Sequence, residues 1–504
     1  MKKDNSVLGG QLIWGSIIGL GSVILGYGIQ YIFNITVSRL LGAFEAGMFF
    51  TCFALINFLA IISRLGLDRL GLREISIYQS RGYLSKAREM VIKYVLMISI
   101  LSILLSLICA YFSEELIEYV APSIDKKTFI IILFSLPGVA ISFSLGQYLR
   151  GLKKVGLSAL VQLIIFYGLV IIFSIIGYMI FDASLNTVGI SFFVGSTVTC
   201  ILGVILVFRH TKSEEKIGNS ISYIGSLKAT PYVFWVNFLT YIITSIDVLI
   251  LGFLGDKSQV AYYSAATRTV LMGSVGLVGV NSIMAPLVAS TYDSGQQDQL
   301  TGIIRMSARW CLIISSLTAV GILFMGDYIL SIFGNDFSEG IIYIYILILA
   351  QVINSGTGSV SLVLQMTNNE KGVTYILVGI VMGMIPLYYI FISSYGALGA
   401  AIVTAMGQIL WNVGMVIYAK RKLGFTTFAD NKIRIILFLI FSCLVTVLCE
   451  ISNFPKYQAL LIYCIALPFI CWKILMLEED RSLIVKIFGD KMKKISTKKI
   501  DSIS

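Results

Sequence analysis

The sequence predicts an all-α polytopic membrane protein of about fourteen transmembrane helices, arranged as two parallel six-helix lobes with two further helices at the C-terminus. Three observations lead there. Strongly apolar stretches of about twenty residues, the length a helix needs to cross a bilayer core, recur from Ile13 to Leu475 with polar residues confined to short intervals. The chain is 57% apolar and only 13% charged, with a mean hydropathy of +0.89, more apolar surface than a soluble core can bury. Segments of the first six spans also reappear in the next six at a nearly constant offset.

Taken in order, the predicted spans are 13–37, 47–63, 91–112, 128–149, 157–181, 187–208, 232–254, 262–285, 307–326, 340–365, 373–392, 397–418, 433–452 and 457–475. The net charge of +11 is unevenly placed. With the N-terminus inside, the outer loops hold only Arg39, Lys126, Lys127, Lys257 and Lys456. Arg268 falls within a span, and the other 32 of the 38 Lys and Arg lie on inner segments. This is the asymmetry of multi-pass proteins of the cytoplasmic membrane. It predicts that both termini are cytoplasmic and that the partners of the surface are membrane lipids, not nucleic acid. Two Lys in the first five residues precede an apolar stretch that reaches Val37 without a small-residue cleavage site, so the first span is expected to stay as an anchor. All eight Cys fall within spans without a CxxC pair, and His210 is the only histidine. Packing thiols are expected, with no metal site, no catalytic triad and no tightly bound cofactor.

The repeat can be read from several segments. Arg39-Leu40-Leu41-Gly42, followed by Gly47 and Phe49-Phe50, is matched by Gly252-Phe253-Leu254-Gly255, followed by Ala261 and Tyr262-Tyr263. Tyr78-Gln79-Ser80-Arg81-Gly82 parallels Tyr292-Asp293-Ser294-Gly295, and Lys153-Lys154 parallels Glu370-Lys371. The offsets are 213, 214 and 217 residues. Six spans is an even number, so the halves run parallel, related by a pseudo-twofold axis along the membrane normal, with a central cavity expected between them. The expected division is an N-terminal lobe 1–208, a cytoplasmic linker 209–230, a C-terminal lobe 231–419, helices 13 and 14 within 420–476, and a basic cytoplasmic tail 477–504. The inner segment from Arg64 to Lys93 mixes Arg with Leu, Ile and Tyr and is expected at the headgroup surface.

Ser38 to Gly47 with Gly66 to Ser76, Ile246 to Gly252 with Tyr263 to Arg268, and Tyr395 to Ala401 resemble the polysaccharide-biosynthesis (Wzx-like) flippases of the multidrug/oligosaccharidyl-lipid/polysaccharide exporter superfamily. The resemblance implies two lobes that alternate access and a substrate made of an isoprenoid-pyrophosphate-linked oligosaccharide. It also implies work in surface polysaccharide biosynthesis beside a polysaccharide polymerase and export machinery. The peptidoglycan lipid II flippases and the cation-coupled multidrug exporters share the layout and are the alternatives within it. A membrane glycosyltransferase or polymerase is disfavoured: the outer segment Ser113–Lys127 is too short to carry a catalytic domain, and no GxxxxGK phosphate loop is present.

Asp247 is the leading site residue. It lies about seven residues before the outer end of its span, roughly 10 Å below the interface at 1.5 Å per residue, where a bare carboxylate costs about 2.5–3.5 kcal/mol. Its expected role is to bind a coupling ion, Na⁺ or H⁺. Arg268, at a similar count into the next span, is expected either to pair with Asp247 and fasten two helices or to hold the anionic head of a substrate. Asn237, Tyr241, Thr244 and Asp247 follow a spacing of 4, 3 and 3, one polar stripe on a helix. In the first half the position matching Asp247 is Asn34. Gln30, Asn34 and Asn412 join the stripe as cavity candidates, because amides both donate to and accept from sugar hydroxyls; interhelical bonding is their alternative role. Gly15, Gly19, Gly26, Gly28, Gly273, Gly276, Gly279, Gly379 and Gly383 read as sites of close helix packing. At the inner span ends, Arg64, Arg73, Arg150 and Lys153 are candidates for capturing a pyrophosphate, although the positive-inside rule alone accounts for cations there.

Overall fold

A computed structural model describes the backbone of residues 2–182, 184–212, 230–274, 296–367 and 369–424, with scattered positions between 275 and 295 and beyond 424. Residues 213–229 of the expected linker, most of helices 13 and 14, and the basic tail lie outside the described residues.

Among the described residues the regular elements are all helical. They run α1 (Lys2–Arg64), α2 (Leu67–Ser80), α3 (Leu84–Tyr111), α4 (Ser113–Val120), α5 (Lys126–Leu133), α6 (Leu136–Gly151) and α7 (Val155–Ala159). A π-helical turn (Leu160–Ile165) leads into α8 (Phe166–Ile180) and α9 (Leu185–His210). Then follow α10 (Thr230–Leu254), α11 (Lys257–Leu271), α12 (Gln297–Ser331), α13 (Ile341–Gly356), α14 (Val360–Met366) and α15 (Glu370–Leu423). Side-chain caps start two of them: Asp125 accepts from the Thr128 amide at 3.4 Å, and Ser184 from the Thr187 amide at 3.3 Å.

Two of these elements are each a pair of helices joined at a sharp turn, and so contain two expected spans. α1 holds the first and second, and α15 the eleventh and twelfth. Each contains one glycine off the helical backbone, Gly42 (φ 72°, ψ 177°) and Gly396 (φ 56°, ψ −135°). The chain reverses at both. The Phe33 and Phe53 rings lie 6.0 Å apart, whereas twenty residues of straight helix would separate them by about 30 Å. The hydroxyls of Tyr388 and Thr404 lie 2.9 Å apart across the second turn. The space around Gly42 is empty within 4 Å of where a Cβ would stand, so only its backbone conformation requires glycine. Gly42→Ala should therefore cost about 1–3 kcal/mol, the usual strain of a residue in a glycine-only region, read as a lower melting temperature in detergent. An unchanged melting temperature would mean that the turn relaxes around the new side chain.

Nine of the described helical stretches are long and apolar enough to cross a membrane, two of them the hairpins just described. Burial is inverted relative to a soluble protein. On α3 the exposed positions include Leu96, Ile100, Ile103, Leu104 and Leu107, while Ser102 and Ser106 are fully buried. On α8, Ile172, Ile175, Ile176 and Met179 are exposed and Ser174 is buried. Small residues inside let helices approach, and large apolar ones outside match lipid tails. The protein is a multi-pass, all-α membrane protein.

The chain groups into two compact units that interleave along the sequence. One comprises residues 1–268, 328–347 and 374–408, the other 269–327, 348–373 and 409–504. The first has an aromatic core from α1, α8 and α9: Phe33, Phe49, Phe53, Phe166, Tyr167 and Phe192, with ring centroids 5.0–6.3 Å apart. In the second, Met284, Val288, Leu300, Ile304 and Val363 pack together.

Within the first unit α2 lies against α6, with Gly71 facing the Tyr148 ring and Gly151 facing the Leu72 carbonyl. The expectation of a helix at the headgroup surface is thus refined: Asp68 and Glu74 turn into the bundle, while Arg69 and Arg73 stay exposed. The glycine expectation holds at Gly26, which sits against Leu163, and in the second unit at Gly273, which faces Thr318. It is corrected at Gly28, Gly379 and Gly383, where a Cβ would meet nothing within 4 Å. The surroundings of Gly15, Gly19, Gly276 and Gly279 lie outside the described residues.

Candidate functional site

α10 and α11 form a hairpin about Gly255, and α15 folds back at Gly396. Asp247 and Tyr263 each lie eight residues from Gly255, and Tyr388 and Thr404 each lie eight residues from Gly396. At 1.5 Å per residue all four stand about 12 Å from their turns, and the packing of the hairpins brings them together.

Asp247 is buried. Its Oδ2 accepts the Tyr263 hydroxyl at 2.5 Å and the Thr404 hydroxyl at 3.0 Å, and its Oδ1 accepts the Val248 amide at 2.8 Å. The Tyr388 hydroxyl lies 2.9 Å from Thr404 Oγ1, which is also 2.9 Å from the Tyr263 oxygen. Tyr263 and Tyr388 are fully buried, and the Tyr263 ring meets Tyr343 edge-on at 6.0 Å. One set of proton positions satisfies an ionised carboxylate: Tyr388 donates to Thr404, and Thr404 and Tyr263 donate to Asp247. A second set satisfies the neutral acid, because a hydroxyl accepts as readily as it donates. The carboxyl can therefore gain or lose a proton without stranding a polar group in the bundle, where an unsatisfied one is costly.

The expected Asp247–Arg268 ion pair is not formed. Among the described residues the ion pairs within 4.0 Å are Arg64–Asp68, Lys93–Glu89 and Lys126–Glu114. Depth is the reason. α11 starts at Lys257, so Arg268 lies thirteen residues beyond Gly255 while Asp247 lies eight before it, a mismatch of about 7 Å. Arg268 is half-buried instead, with its charge near Tyr167 and Tyr241. No carboxylate lies within 4.0 Å of it among the described residues, although its charge still reaches Asp247 from farther away.

The stripe on α10 is not one uniform face. Tyr241 donates to the Ala54 carbonyl of α1 at 3.1 Å, Thr244 is exposed and bonds back to the Thr240 carbonyl, and Asn237 is half-buried. In the first half, Gln30 donates to the Tyr167 hydroxyl at 2.8 Å, and the Asn34 amide donates to the Gln30 carbonyl at 2.6 Å. Asn412 is buried in the second unit and accepts from Thr357 at 2.9 Å. At the inner span ends, Arg64 is already engaged: it meets Asp68 at 3.3 Å, donates to the Ala60 carbonyl and lies over the Phe143 ring at 5.6 Å. Arg73, Arg150 and Lys153 are exposed.

Tyr263, Tyr388 and Thr404 had no place among the sequence-derived site residues. The signal available for them was the equal count to the two turn glycines.

The chain matches the family described as "Polysaccharide biosynthesis protein" over residues 12–291, more than half its length, and the MatE family over residues 233–390. A curated relative, the probable low-salt glycan biosynthesis flippase Agl15 of Haloferax volcanii, is 26% identical over 394 residues, 76% of this chain and 78% of that protein. Among solved structures, an inward-facing multidrug resistance MATE family transporter of the MOP superfamily superposes with a TM-score of 0.63 at 15% identity, covering 81% of this chain and 98% of the other. The lipid II flippase MurJ in an inward closed conformation superposes with a TM-score of 0.60 at 18% identity, covering 89% of this chain and all of the other. The chain therefore belongs to the polysaccharide biosynthesis protein family and has the fold of the MOP-superfamily transporters.

Proposed function

We propose that this chain is a flippase that carries an isoprenoid-pyrophosphate-linked oligosaccharide from the inner to the outer leaflet of the cytoplasmic membrane by alternating access. Both termini are cytoplasmic in this reading. The family match over residues 12–291 carries it, and the named flippase relative supports the substrate class. The site residues fit such a cargo. Arg268 offers to a pyrophosphate a guanidinium that forms no ion pair within 4.0 Å among the described residues, Gln30 and Asn237 offer amides to sugars, and the exposed Arg73, Arg150 and Lys153 suit its capture at the inner face.

Asp247 is the coupling site in this reading, and its ion is a proton. Hard cations take oxygen lone pairs from carboxylates, carbonyls and water, whereas three of the about four lone-pair sites of Asp247 already face two hydroxyls and an amide. That cage favours a proton over a metal cation.

Deletion of the gene tests the reading: the lipid-linked repeat unit should accumulate facing the cytoplasm while surface polysaccharide is lost. Purified protein in liposomes should also expose a labelled lipid-linked glycan to an external probe. The MatE match over residues 233–390 favours a second reading, export of cationic drugs. Robust efflux of cationic dyes, with every lipid-linked glycan left unmoved, would establish that reading in place of the first.

A further inference from the structure

At the end of the first unit that carries the turns at Gly42 and Gly255, two cations reach across between the halves of the sequence. Arg39, on α1, donates from Nε to the Ile332 carbonyl at 2.7 Å and from Nη2 to the Ser331 carbonyl at 2.8 Å, at the C-terminus of α12. Lys257, at the start of α11, donates from Nζ to the Tyr119 carbonyl in the last turn of α4 at 3.1 Å, and to the Gly252 carbonyl in the last turn of α10. The final carbonyls of a helix lack partners of their own and carry its negative end, so each contact joins a cation to the pole it favours. The grip is reciprocal: the first half supplies Arg39 to a helix of the second, and the second supplies Lys257 to a helix of the first.

Backbone approach accompanies it. A Cβ at Gly47 would collide with the Lys257 carbonyl, and one at Gly252 with the Thr51 side chain. Lys257 is buried and has no carboxylate within 4.0 Å among the described residues. Burial holds its amine below the ordinary lysine range. Beside it lies Cys52, also buried. Hydrogen bonds between cations and carbonyls can be exchanged for bonds to water at modest net cost, so these contacts can open as well as close.

We propose that Arg39 and Lys257 are gating residues that hold the outer end of this unit shut, each capping a helix C-terminus supplied by the other half of the sequence, Lys257 that of its own α10 as well, with the glycine approach at Gly47 setting the closed distance. The proposal rests on the alternating-access reading above. Its test needs no substrate, so its failure would leave the cargo assignment standing.

The readout is the maleimide labelling rate of Cys52 as the sole cysteine in purified protein held in lipid nanodiscs, where both faces meet the reagent. The parent should label slowly. Arg39→Ala and Lys257→Ala should each speed labelling several-fold and together about tenfold, while Lys257→Arg should remain close to the parent. Gly47→Ala should speed it as well, by wedging the backbones apart with the charges intact. A thermal transition like the parent's establishes that each variant is folded. Arg39 is exposed, so its variant carries the test if Lys257→Ala or Gly47→Ala fails to fold. Unchanged labelling in the folded Arg39→Ala protein would overturn the gate.

Discussion

Asp247→Asn is expected to leave the protein folded and to reduce proton-driven transport by about 5- to 150-fold, the span of ordinary coupling free energies. Asparagine keeps the shape of the side chain and one acceptor oxygen, and its amide hydrogens can face the hydroxyl oxygens of Tyr263 and Thr404. It cannot change protonation state. The measurement is flipping of a labelled lipid-linked glycan in liposomes under an imposed pH gradient, then under a sodium gradient of equal size. The parent should respond to the first and not to the second, and the variant to neither. A variant that follows the pH gradient as the parent does would remove Asp247 from coupling, and a parent driven by sodium would remove the proton.

Gly399→Ala should be among the most damaging single methyl groups within the described hairpins, as Gly47→Ala should be, since each meets a backbone carbonyl. A Cβ at position 399 would overlap the carbonyl of Phe391, on the opposite limb of the turn at Gly396. No rotamer change can relieve a clash with backbone, so the expected cost is about 3 kcal/mol or more, the upper part of the range for overpacking. The same turn sets the 2.9 Å contact of Tyr388 with Thr404, so transport should fall along with stability. Gly383→Ala is the control. Nothing lies within 4 Å of its Cβ position, and an exposed helical glycine replaced by alanine gains up to about 1 kcal/mol of helix propensity. Equal losses in the two variants would show that the clash at position 399 is absorbed elsewhere.

Helix identity was legible in the sequence because a bilayer admits so few alternatives. Hydropathy found the apolar stretches that become α3, α8 and α9, since each must satisfy its own backbone. It also separated the two limbs of α1, which turn back on each other at Gly42, as distinct spans. Asp247 was legible because a lone carboxylate in an apolar run is costly. Its cage was not, because Tyr263, Tyr388 and Thr404 are ordinary residues in a span until two hairpins pack. Arg268 was misplaced for a related reason: residue counts measured from a span's apolar edge are not depths measured from the turn, and α11 begins five residues before that edge. Arg64 looked free as a cation at a span end, yet Asp68, one turn along, meets it.

The equal count of eight residues from each turn glycine has a consequence for how this chain can change length. One residue inserted between Asp247 and Gly255 would shift the carboxyl by about 1.5 Å and rotate it by about 100° around α10, turning it away from Tyr263 and Thr404. The same holds for an insertion between Gly396 and Thr404. These four limbs are closed to insertion and deletion, and variation in length between relatives should collect at the far ends of the hairpins, where an added residue moves no member of the cage.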